Sequence, residues 1–131
     1  MTHLPITLAT AGILGLIFLA LTGGVTSQRF RSRVMLGEGG SEPGAAALKL
    51  AVRAHANFAE YVPLALILLA GIEAAGAPRD LVIGLAVALV LGRLGHAFGM
   101  FRPAPNPFRA CGALVTWAVI GVACVTALIL A

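Results

Sequence analysis

An all-α integral membrane protein, a single four-helix bundle, is the fold class this sequence predicts, and three observations carry it. Hydrophobic residues make up 60% of the 131 residues and charged residues only 11%, against about 25% charged in a soluble domain. The mean hydropathy is +0.99. The apolar residues run in four near-continuous stretches, on the scale of the roughly 20 residues that cross a bilayer as a helix. Nine basic and five acidic side chains cannot cover a water-facing surface, which excludes a soluble globular domain. Disorder, which needs low hydrophobicity and high charge, is excluded too. Continuous rather than alternating apolar runs argue against a β-barrel.

The first helix is expected at about residues 4–26; Leu4 to Val25 carries no charge. Its apolar run is too long for a signal-peptide core and no basic residue precedes it, so it reads as a retained helix. The second is expected at 46–75. Its uncharged part, Tyr61 to Ile72, is too short to span alone, so charged residues of this helix lie inside the membrane or at its edge. Pro63 removes an amide donor there and kinks the helix. The third, 81–101, holds a single charge, Arg93, and the fourth, 110–131, holds none. Together they make one domain over residues 1–131.

The linkers set the topology. The first contains Arg29, Arg31, Arg33, Glu38 and Glu42 and ends in the helix-breaking run Gly37-Glu38-Gly39-Gly40-Ser41-Glu42-Pro43-Gly44. The second is short, with Arg79 and Asp80. The third, Arg102 to Arg109, is interrupted by Pro103, Pro105 and Pro107. Basic residues concentrate in linkers one and three, so the positive-inside rule puts those linkers in the cytoplasm and both termini on the far side. The net charge of +4 follows from the same residues and reads as topology and contact with anionic lipid, not as nucleic-acid binding. Cys111 and Cys124 are thirteen residues apart on one helix, about 20 Å, and so are free thiols. No metal-ligand spacing, phosphate loop or nucleophile motif is present.

Ionisable groups inside a span are functional candidates. At about 100° per residue, Arg53, Asn57 and Glu60 fall within about 60° of one another, with Tyr61 at the edge. His55 lies about 160° from Arg53 on another face, so the second helix has two polar faces and is expected to contact more than one neighbour, as in a homo-oligomer. The third helix places Arg93 and His96 one turn apart. Glu60, the carboxylate within a span core, is the expected partner of Arg93 in a structural ion pair. Arg29, Arg31, Arg33, Arg53, Arg102 and Arg109 gather at one membrane face, a cluster suited to a small anionic molecule bearing carboxylates.

The run Arg53-Ala54-His55-Ala56-Asn57-Phe58-Ala59-Glu60-Tyr61-Val62-Pro63-Leu64 resembles the second-helix signature of the MAPEG family, the membrane-associated proteins of eicosanoid and glutathione metabolism. Leu36-Gly37-Glu38-Gly39-Gly40 is similar to the loop of its short prokaryotic members, related to microsomal glutathione transferases. The resemblance covers essentially the whole chain. It implies a homotrimer that binds glutathione as co-substrate between subunits at the cytoplasmic side, and the likeness to prokaryotic members implies a bacterial inner membrane. Arg53, Asn57, Glu60 and Tyr61 would contact glutathione from one subunit, His55 and either Arg29 or Arg31 from its neighbour. Arg93 and His96 resemble the prostaglandin synthase pattern, with His96 adding a contact. Arg109 would stabilise the glutathione thiolate as the catalytic residue. The implied function is a glutathione-dependent transferase or peroxidase acting on lipophilic electrophiles. Met100 stands where catalytic branches carry tyrosine, which keeps open a non-catalytic lipid-binding or scaffold member. A small multidrug transporter fits less well, because the first span lacks a carboxylate.

Overall fold

The computed structural model describes residues 3–41, 44–103 and 105–131. Glu42 and Pro43 of the first linker and Ala104 of the third lie outside the described residues. Four helices follow one another: α1 (Pro5–Ser32), α2 (Ala45–Ala74), α3 (Arg79–Met100) and α4 (Pro107–Leu130). All four are long and apolar enough to cross a membrane, and no strand occurs among the described residues.

Two helix ends differ from expectation. α1 runs on to Ser32 rather than ending near residue 26. Nothing between Thr26 and Ser32 breaks a helix, and Arg29 and Arg31 in its last turn oppose the negative end of the helix dipole. The chain leaves α1 through Arg33 in the left-handed region, φ 56°. Arg29 braces this exit, its Nη1 donating to the carbonyls of Val34 at 3.4 Å and Gly37 at 3.1 Å. α4 starts at Pro107, earlier than residue 110, because proline suits the first helical position and Asn106 caps it.

α1 packs on α2 and α3 on α4, while α2 bridges to α3 and α4. Leu14, Phe58, Leu69, Ile72, Leu89 and Val119 form the centre of the buried cluster. Leu8, Leu16, Leu19, Leu128 and Ile129 are exposed on the outside, as suits a surface bathed in lipid tails. α3 and α4 touch through glycines, the close approach that small residues permit between membrane helices. A Cβ on Gly112 would lie 2.5 Å from both the Gly92 carbonyl oxygen and the His96 amide nitrogen. One on Gly99 would collide with the Arg109 amide nitrogen.

The end of the bundle formed by the start of α1 and the end of α2 is closed by Glu73. Its Oε1 accepts from the Ile6 amide at 3.0 Å. Its Oε2 accepts from the Thr7 amide at 2.8 Å and the Thr7 hydroxyl at 2.6 Å. α1 has no side-chain cap of its own, so α2 supplies one across the helix pair. Glu73→Ala is expected to destabilise the protein by about 1–2 kcal/mol and to speed amide exchange at Ile6 and Thr7. Exchange there unchanged from wild type would show that the cap carries no weight.

Candidate functional site

The site is built where α2, α3 and α4 meet. Arg93 of α3 is 1% exposed, a guanidinium in the middle of an apolar bundle. Its Nη2 donates to Asn57 Oδ1 of α2 at 2.8 Å and lies 3.3 Å from His96 Nδ1. Its Nη1 donates to Thr116 Oγ1 of α4 at a long 3.5 Å. Its carbon centre lies 5.4 Å from the centroid of the Phe58 ring. Thr116 in turn donates to the Gly112 carbonyl at 2.8 Å. His96, also buried, meets an obligate donor at Nδ1; that nitrogen is therefore the acceptor and the ring hydrogen sits on Nε2. Arg93 Nε is buried without a partner among the described residues.

The expected Glu60–Arg93 ion pair is therefore replaced by an Asn57–Arg93 hydrogen bond. Asn57 and Glu60 share the polar stripe of α2, but Asn57 is the member turned toward α3, while Glu60 is exposed on the outer side. No carboxylate faces Arg93 among its hydrogen-bond partners.

In front of this network lies a cleft of about 610 Å³ lined by Asn57, His96, Pro105, Asn106, Arg109 and neighbouring alanines of α4. Arg109 is exposed in the first turn of α4. Its amide is bound by Asn106, and its guanidinium has no hydrogen-bond partner among the described residues. Asn57, His96 and Arg109 thus come together within the one chain, with Arg93 behind them.

The remaining candidates lie elsewhere. Arg53 and Glu60 are exposed on α2, and Tyr61 is half-buried one residue further on. His55 turns to α1, its ring 4.7 Å from that of Phe18. Arg29 is tied to the loop after α1, and Arg31 is exposed. Met100 is buried in the core cluster and does not line the cleft.

Two residues of the site escaped the sequence reading. Asn106 carried a signal, since asparagine before proline at the head of an apolar run is a helix-start signature. Thr116 carried only its polarity in a charge-free span. Outside the cleft, Arg102 lies over the Phe98 ring at 4.4 Å and Phe98 meets Phe108 edge-on at 5.2 Å. These exposed aromatics suit the membrane–water interface. No cluster of metal-ligating side chains occurs among the described residues.

The MAPEG family matches the chain over residues 7–129, a stretch that contains every residue of the cleft. The chain belongs to the MAPEG family. Two relatives are the "inner membrane protein YecN" of Escherichia coli K12 and that of Escherichia coli O6:H1 strain CFT073. Each is 31% identical over 105 residues, covering 80% of this chain and 76% of the relative. No solved structure matches. This MAPEG chain, with its four apolar spans, is a multi-pass integral membrane protein.

Proposed function

We propose that the protein is a membrane-bound glutathione-dependent transferase or peroxidase that holds the glutathione thiolate at Arg109. The supporting observation is the Arg109 guanidinium, without a hydrogen-bond partner among the described residues, at a cleft that also presents Asn57 and His96, with the buried cation Arg93 behind them. A thiolate is the attacking form of a thiol, and a nearby fixed cation favours it. Guanidinium does so without losing its own proton. Attack on a carbon electrophile forms the carbon–sulfur bond and expels the leaving group. Attack on a hydroperoxide releases an alcohol and leaves an oxidised sulfur that a second glutathione reduces, forming the disulfide.

The exposure of Arg53 and Glu60 on a membrane-crossing helix supports a homotrimer. Each charge would cost roughly 3 kcal/mol facing lipid at mid-span, and a neighbouring subunit covers them. In this reading Arg53 takes a glutathione carboxylate, Glu60 takes its ammonium group and Tyr61 adds a hydroxyl. The neighbour supplies His55 and Arg31, since its Arg29 is held by its own loop. Linkers one and three face the cytoplasm of a bacterial inner membrane, so glutathione arrives from water and the electrophile from the bilayer. Meeting at that boundary replaces an encounter between two phases.

The alternative, a non-catalytic lipid-binding member, leans on Met100. The burial of Met100 away from the cleft weakens it, because the substitution removes no group from the cleft wall. Calorimetric titration with glutathione, together with conjugation of an activated aryl halide, separates the two. Arg109→Ala is expected to bind glutathione nearly as well as wild type while losing about 100-fold or more in turnover. Wild-type protein that binds no glutathione and turns over no electrophile would reject the enzyme reading.

A further inference from the structure

One side chain joins the two helices that shape the cleft. Asn106 Nδ2 donates to the Gly99 carbonyl at 2.9 Å and to the Pro103 carbonyl at 3.2 Å. Its Oδ1 accepts from the Arg109 amide at 3.0 Å. The same residue thus ties the last turn of α3 to the first turn of α4, and it also lines the cleft.

Gly99 completes the arrangement. A Cβ there would lie 2.8 Å from Asn106 Oδ1 and would collide with the Arg109 amide. The backbone of Arg109 therefore rests directly against α3, and Asn106 binds its amide at that same contact. Below it, Gly112 closes on Gly92 and His96. His96 and the Arg109 backbone are parts of one close-packed contact between α3 and α4, and the Arg109 guanidinium has no hydrogen-bond partner among the described residues. Cys111, two residues on, faces outward and is exposed, so it takes no part in the clamp.

We infer that Asn106 is a positioning residue for Arg109: by fixing the Arg109 amide against α3, it sets where the guanidinium meets an anion in the cleft. This rests on the reading of Arg109 as the thiolate's partner. A cap that only stabilised α4 would need the single bond to the Arg109 amide. The two further bonds to α3 and its exit fix one helix relative to the other. A guanidinium on a long side chain needs such a fixed base to hold charge close to one sulfur atom.

The test uses the full-length protein in lipid nanodiscs: wild type, Asn106→Ala and Asn106→Ser. Serine keeps an acceptor for the Arg109 amide and gives up the bonds to α3. Glutathione is the probe. Binding is followed by calorimetry, and thiolate formation by ultraviolet absorption across a pH series. Asn106→Ala is expected to keep its glutathione affinity within a few-fold of wild type. Its bound thiol should titrate about one unit higher, a tenfold smaller thiolate fraction at fixed pH below the transition. Asn106→Ser, which keeps the cap bond but not the bonds to α3, should show most of the same shift; full recovery of the wild-type titration there would reduce Asn106 to a cap of α4 and overturn the positioning role. Amide exchange across residues 107–112 should quicken in Asn106→Ala and less so in Asn106→Ser.

A thiol titration in Asn106→Ala that superimposes on wild type overturns the positioning role and leaves the Arg109 reading standing. Parallel loss of fold, binding and thiolate in both variants overturns it too, since the residue would then serve stability alone. A wild-type protein that forms no thiolate overturns the Arg109 reading, and the positioning role falls with it.

Discussion

Gly112→Ala is expected to leave little folded protein. The added Cβ would sit 2.5 Å from the Gly92 carbonyl oxygen and the His96 amide nitrogen, and 2.8 Å from the His96 Cα. All three are backbone atoms, so no side-chain rotation relieves the clash and α3 must part from α4. Overpacking a core costs about 1–3 kcal/mol where neighbours can shift. Where only backbone can move, the cost reaches about 3 kcal/mol or more, a large share of ordinary stability. Gly121, in the same helix, is the control: nothing lies within 4 Å of a Cβ built there. Gly121→Ala should be neutral, or stabilising by up to about 1 kcal/mol through helix propensity. The check is the fraction of protein that stays monodisperse in mild detergent as temperature rises. Equal behaviour of the two variants would show that the α3–α4 contact is looser than described.

Asn57→Leu is expected to have the second large effect. Asn57 provides the shortest hydrogen bond to Arg93, at 2.8 Å, and that guanidinium is 1% exposed. Removing one partner of a buried charge costs about 3–5 kcal/mol, because the other is left in a medium that cannot solvate it. Arg93→Met should cost less, since it removes the charge itself. Thr116 keeps its bond to the Gly112 carbonyl, and methionine fills irregular apolar space readily. The double variant Asn57→Leu with Arg93→Met should be more stable than Asn57→Leu alone. Thermal unfolding of the four proteins in one detergent decides it. A double variant no more stable than Asn57→Leu would mean that Arg93 draws its compensation from another group.

Periodicity along the chain encodes the spans and their faces; packing between helices decides which groups meet. Four spans were legible because composition and run length report directly on solvent. The end of α1 was not, because hydropathy marks where the bilayer ends and not where a helix ends. Thr26 to Ser32 is polar and helical at once. The stripe of Arg53, Asn57 and Glu60 could be read from angular spacing alone. Which member of the stripe meets Arg93 depends on how α2 crosses α3, and spacing along one helix carries no such information. The choice fell on Asn57, a neutral acceptor, and left Glu60 on the outside. Asn106 was readable as a helix start from its following proline. Its bond to Gly99 was not, since that needs the two helices already in contact. Arg109, marked by the family resemblance, lies exposed at the cleft with His96 and Asn57. Arg53, His55 and Glu60 stand apart from it within the chain, which is why the proposed site calls for a second copy.

Thiolate formation in the cleft is read out by ultraviolet difference absorption of glutathione added to purified protein. Wild type and Arg109→Ala are compared at the same pH and protein concentration. A saturable thiolate band is expected in wild type, and its loss in Arg109→Ala with the fold and the glutathione binding retained. A wild-type protein that binds glutathione without a thiolate band, or an Arg109→Ala protein with an undiminished band, would contradict the Arg109 reading.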